Sequence, residues 1–243
     1  MVTDKPGMGK STLLTHLAKQ TRKRRPDMWI VRVSINNYTS MLHEIKTNGF
    51  DERSAIILIT EATQVKESDN VQLQKRLFNY IYNSTGNMAV LTDGVDEVSP
   101  HYTEEVLKIL RILSKTKIRK VWATSWNSVK DQLKQEFQFQ SYTLVPFSVE
   151  DQISIPVKFW KQKFLRIKAD NPQNLADRVA ELSSKHLSVR EKNFMGIPLQ
   201  STLLAEMFQE NLKPKIKDGG LPEDINFAML YDLYVKKKRD IYL

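Results

Sequence analysis

Residues 7–12 read Gly-Met-Gly-Lys-Ser-Thr, and the run behind them repeats Leu13, Leu14, Leu17 and Ala18 at helical spacing. Two glycines one residue apart let a backbone turn sharply with its amides facing inward. A helix starting immediately afterwards points the positive end of its dipole into that turn. Such a turn must hang from the end of a buried strand, which holds it rigid from one side while the helix holds it from the other. The chain is thereby constrained to an α/β fold. Few residues stand ahead of the turn, beginning Met1-Val2-Thr3, so the sequence reads as starting inside its first strand, as a fragment of a larger protein would.

The rest of the chain extends this pattern. Pro26 ends the first helix, and the cluster Arg22–Arg25 before it complements the negative end of the helix dipole and faces water. "MWIVRVSI" (28–35) is apolar enough for a central parallel strand, as are "MAVLT" (88–92) and "KVWATS" (120–125), and "SYTLVPF" (141–147) reads as a further strand. Between them, helical spacing runs through 39–47, 70–83, 104–113 and 128–137; "RSAIILITEATQ" (53–64) suits either type but is flanked like a helix. Strands alternating with helices predict a parallel sheet of about five strands covered by helices. After Phe147 the alternation stops. Segments 148–167, 172–187, 199–212 and 222–240 all read helical, which predicts a first domain over 1–147 and an all-helical domain over 148–243.

The turn matches the phosphate-cradling fingerprint G-x-x-x-x-G-K-[ST] except at its first position, where Asp4 stands for glycine. Gly7, Met8 and Gly9 form the close approach, Lys10 meets the outer phosphates of a nucleotide, and the Ser11 hydroxyl is a magnesium ligand. A carboxylate at Asp4 is expected to point away from the phosphates or to repel them. About eighty residues on, "MAVLTDGVDE" puts Asp93 at the end of an apolar strand, where a carboxylate holds magnesium through its water shell. Asp96 and Glu97 follow within reach of the same ion and of an attacking water.

The bulk properties exclude some classes. Zero cysteines remove disulfides and thiolate metal sites and fit a reducing, cytoplasmic setting. No apolar run approaches the ~20 residues of a membrane span, and no apolar signal segment opens the chain. The four histidines lack metal-ligand spacing. The net charge of +9 is spread along the chain, as on a solvated basic surface, so nucleic acid is not expected as a partner.

"GMGKST", "VLTDGVDEV", the strand ending in Thr124-Ser125, "LVPFSVEDQ" (144–152) and "MGIPLQ" (195–200) occur in the order seen in NACHT-domain proteins, and over nearly the whole chain the sequence resembles that family of signal-transducing P-loop NTPases. The resemblance implies ATP or ADP with magnesium, a conformational switch, slow hydrolysis and self-association governed by the nucleotide, in innate-immune or apoptotic signalling. It places Lys10, Ser11 and Thr12 on phosphates and magnesium, Asp93 on the metal, and Asp96 and Glu97 as the acidic pair supporting hydrolysis. Pro198 would pack against adenine from the helical domain; it also suits the first turn of a helix. Where the family commonly has a phosphate-sensing arginine after "TS", this chain has Trp126, and the family's winged-helix portion would lie beyond Leu243. The motifs alone accept ATP and GTP. Two rivals remain, a small-molecule kinase and a nucleic-acid-stimulated ATPase; the first would need a basic lid, and the segment after Ser148 shows no such cluster.

Overall fold

The computed structural model describes residues 1–49, 51–63, 71–98, 100–127, 130–137, 141–163, 196–207 and 232. They fall into two compact units, Met1–Leu144 and Val145–Leu243.

The first unit is built on four parallel strands: β1 (Val2–Thr3), β2 (Trp29–Ser34), β3 (Met88–Asp93) and β4 (Lys120–Ser125), in the spatial order β1-β4-β3-β2. Around them lie α1 (Lys10–Arg24), α2 (Thr39–Asn48), α3 (Glu52–Ala62), α4 (Val71–Ser84), α5 (Thr103–Lys115) and α6 (Lys130–Phe137). The fold class is therefore α/β with a helix-flanked parallel sheet. Strand periodicity explains the two faces. Ile30, Ala89 and Leu91 bury against Leu14 and Ala18 of α1, while Val31, Val33 and Val90 turn to the larger core with Leu42, Leu58, Phe78 and Leu107. The ambiguous run is settled as helix α3 over Glu52–Ala62 by its start: the Asp51 carboxylate accepts from the Ser54 amide at 2.7 Å, and the Asp51 amide donates to the Ser54 hydroxyl at 3.2 Å.

The strand expected over 141–147 is reduced to one bridge. Tyr142 pairs in parallel with Val2 on the free side of β1, its amide donating to Met1 O and its carbonyl accepting from Thr3 N, both at 3.0 Å. Pairing stops there for two reasons. The Leu144 amide is spent on a side chain instead, and Pro146 has no amide to give. The chain still marks a fifth position in the sheet without forming a fifth strand.

In the second unit, α7 (Val149–Lys163) and α8 (Pro198–Met207) pack on each other, burying Val157, Ser201 and Ala205. Ser148 starts α7 with a reciprocal cap: its hydroxyl accepts from the Asp151 amide at 3.1 Å, and its amide donates to the Asp151 carboxylate at 3.2 Å. The helices expected over 172–187 and 222–240 lie outside the described residues, Asp232 apart, as do the ends of those expected over 148–167 and 199–212.

Candidate nucleotide site

Strand order creates the site. From β1 the chain passes through α1 to β2 at the far edge, and then β3 and β4 return toward β1. The segments leaving β1, β3 and β4 thus meet at one edge, outside the carboxyl ends of the strands, where open α/β sheets bind ligands.

The segment leaving β1 is the glycine turn. Gly7 and Gly9 have φ of 79° and 89°, and Gly9 caps α1, its carbonyl accepting from Leu13 N at 2.8 Å. A Cβ placed on Gly9 would meet nothing within 4 Å, so this side of the turn is open. Lys10 is buried beneath it, and its Nζ donates to the carbonyls of Asp4 and Lys5, each at 2.9 Å. Burial lowers the Lys10 pKa below the ordinary lysine value, while the negative charges of Asp96, Asp4, Glu97 and Asp93 oppose that shift. The ammonium is thus held at the base of the turn and surrounded by carboxylates.

Asp4 does not behave as its charge alone predicts. It is buried; Oδ1 accepts from the Lys5 amide and Oδ2 from the Leu144 amide, both at 2.7 Å. Of the two expectations for Asp4, pointing away from the phosphates or repelling them, this geometry fits the first. Both carboxylate oxygens are occupied by backbone amides, and the residue braces the turn against the segment that follows Tyr142.

Asp93, at the end of β3, is the hub of the opposite side. Its Oδ1 accepts from the Ser11 hydroxyl at 3.1 Å and from the Thr124 hydroxyl at 2.6 Å, and its Oδ2 from Arg32 Nη2 at 3.1 Å. Arg32 also donates from Nη1 to the Thr15 hydroxyl at 2.5 Å and from Nη2 to Ser11 O at 3.4 Å. Asp96 accepts from the Trp126 amide at 2.7 Å, and Glu97 from the Asn36 side-chain amide at 2.9 Å. The second oxygen of Asp96 and the hydroxyl of Ser125 are buried without a partner among the described residues. Orphaned polar atoms beside a site leave bonding capacity for water or ligand.

The structure thus brings Gly7, Met8, Gly9, Lys10, Ser11, Asp93, Asp96 and Glu97 to one sheet edge. Thr12 is exposed on the first turn of α1. Pro198 heads α8 in the other unit. Trp126 is 40% exposed, and its backbone amide, not its ring, serves the acidic pair. An oxygen-only donor set of Ser11 and Asp93, with Thr124 behind, suits magnesium, so the residues fit a magnesium–nucleotide pair. Among the described residues no three His, Cys, Asp or Glu gather as a self-sufficient metal site, so phosphate and water oxygens would complete the ion's shell. Sequence reasoning missed Arg32, Asn36 and Thr124. Arg32 had a signal, a lone charge inside an apolar strand.

A glycine turn between β1 and α1, an acidic strand end beside it and this strand order define the chain as having a P-loop NTPase fold. No protein-family model matches it, and no curated protein matches it. Among solved structures it is similar to the Orc1 protein of Aeropyrum pernix in complex with DNA, at 12% identity and a TM-score of 0.49, over 98% of this chain. The chain spans 59% of the length of that one. Because that neighbour was solved with DNA, the expectation setting nucleic acid aside as a partner is withdrawn. At this score the likeness says nothing further of what the present chain binds. Among the described residues no helix is long and apolar enough to cross a membrane.

Proposed function

We propose that the chain is an adenine-nucleotide-binding switch module of the NACHT type, with residues 1–147 holding ATP or ADP with magnesium and residues 148–243 forming its helical partner domain. The observation that carries the reading is the open turn of Gly7 and Gly9 with Ser11 hydrogen-bonded to Asp93 at 3.1 Å. Backbone amides and the α1 dipole would receive the phosphates, Lys10 their outer charge, and Ser11 and Asp93 the ion. Bound magnesium would draw charge from the terminal phosphate. Asp96 and Glu97 would orient the attacking water and take its proton. No guanidinium follows Ser125, where Trp126 stands, so hydrolysis is slow and resets the switch. Pro198 closing over adenine would give the nucleotide different affinities for two arrangements, which is how it would control self-association in signalling.

Thermal unfolding with and without nucleotide tests this. A ligand at 100 times its dissociation constant stabilises by roughly 2.7 kcal/mol. Lys10→Ala should lose that shift, and Ser11→Ala only the part that depends on magnesium. An unaltered ATP shift in Lys10→Ala sinks the assignment.

One observation favours a second reading, a nucleic-acid-stimulated ATPase. At the opposite sheet edge the last turn of α1 exposes Arg22, Lys23 and Arg24, and Lys117, Arg119 and Lys120 are exposed before and at the start of β4. Stimulation of turnover by duplex DNA, with affinity falling steeply as salt rises, would establish it.

A further inference from the structure

We infer that Arg32 is a built-in cation that stands in for the divalent ion at Asp93, so that the site holds a nucleoside diphosphate without magnesium. The inference rests on the nucleotide reading above and concerns a residue which that reading leaves without a role.

Arg32 is the one charged residue of β2, whose neighbours Val31 and Val33 are buried. Strand alternation puts it on the α1 side, the face that Ile30 shares with Ala89 and Leu91. A mid-strand charge there needs a reason, and the side chain supplies one. Its guanidinium bridges three groups at once: the Asp93 carboxylate at 3.1 Å, the Ser11 carbonyl at 3.4 Å and the Thr15 hydroxyl. Two of the three belong to residues on which a magnesium ion would sit, Asp93 and Ser11, although Arg32 meets Ser11 at its carbonyl and the ion would take its hydroxyl.

Two effects follow from that position. Without Arg32, the Asp93 carboxylate keeps two hydroxyl donors and the nearby Lys10 charge but loses its own ion-pair partner, and like charges in a partly buried site repel. With Arg32, the repulsion is cancelled before any ion arrives. Conversely, magnesium must share Asp93 with a positive charge already in place, so the ion adds less than it would to a bare carboxylate. Both effects lower the dependence of nucleotide affinity on magnesium. Removing Arg32 reverses both, and they add in the ratio of the two affinities. Lysine at this position would keep the charge but lose the fork that reaches Thr15 and Ser11 together.

The experiment is a titration of the whole chain with ADP, in EDTA and in excess magnesium, for wild type, Arg32→Gln and Arg32→Lys. The Arg32 side chain is exposed although the α1 face that carries it is packed, so the melting temperature of each ligand-free variant verifies folding. The wild-type affinities in the two conditions should agree within about threefold. In Arg32→Gln the EDTA affinity should fall by about tenfold, the loss of one charge-assisted contact, with little change in magnesium. Arg32→Lys should recover part of that loss. An equal EDTA-to-magnesium ratio in wild type and Arg32→Gln overturns the inference and leaves Arg32 as a strut between β2 and α1. Failure of the wild-type chain to bind ADP in either condition is a different result: it overturns the nucleotide reading itself, and the role of Arg32 with it.

Discussion

Gly9 and Gly86 stand at opposite edges of one parallel sheet, both in the left-handed region, with φ of 89° and 58°. A Cβ on Gly86 would lie 2.1 Å from the Lys117 carbonyl oxygen; a Cβ on Gly9 would touch nothing. At Gly86 the backbone closes on itself: its amide donates to Ile81 O, and its carbonyl accepts from the amides of Met88 and Arg119. At Gly9 the space is left open. The charged groups divide the same way. Around Gly86 the cations are exposed, and Arg25 pairs with Asp27, which bonds Asn87 in turn. Around Gly9, Asp4, Lys10 and Asp93 are buried and satisfied mostly by one another's neighbourhood. Burying charge is costly unless it is bonded. One edge therefore uses glycine to close a structure, and the other uses it to keep a structure open for something that is not protein.

The largest expected effect lies at the closed edge. Gly86→Ala drives a methyl into backbone that no rotamer change can clear, and should lower stability by about 4 kcal/mol or more. Urea midpoints measure this, and a midpoint equal to wild type would mean the edge is not closed as described. Asp4→Gly comes next. It restores the ordinary loop residue yet orphans the Leu144 and Lys5 amides, so it should cost about 1–3 kcal/mol and weaken ATP binding. Tighter ATP binding in that variant would reinstate repulsion as the role of Asp4. Gly9→Ala should be the mildest for folding, about 1 kcal/mol of left-handed strain. It should nevertheless remove nucleotide affinity, because the methyl enters the space reserved for phosphates. If ATP still binds Gly9→Ala at wild-type strength, the open space is not the cradle.

The local features of this site were legible in the sequence. Gly7, Gly9, Lys10 and Ser11 announce a turn and a helix start, and Asp93 closes a run of apolar residues; each is a signal within a few positions. What escaped depends on distant pairs. Asp4 meets Leu144 across 140 residues, and nothing near Asp4 says whether its carboxylate will face a ligand or a backbone amide. The strand expected over 141–147 failed for the same reason, since the Leu144 amide was already engaged. Arg32 lies between the two cases. A lone arginine in "WIVRVS" is visible, but its partners come from α1 and β3, and only the strand order makes them neighbours. The helical character of α3 turned on one reciprocal cap, Asp51 with Ser54, that apolar periodicity cannot express.

The bond from Leu144 to Asp4 also has a kinetic meaning. Among the described residues of this stretch, the bridge at Tyr142 is the only ladder pairing that protects the backbone from hydrogen exchange with solvent. The Leu144 amide nevertheless sits on a buried carboxylate, so its proton can leave only when the Asp4 contact opens. Its exchange rate is then set by breathing of the glycine turn rather than by unzipping of the sheet. Leu144 is also the last residue of the first unit, so an amide that times the turn's opening is carried by the peptide through which the chain departs for the second.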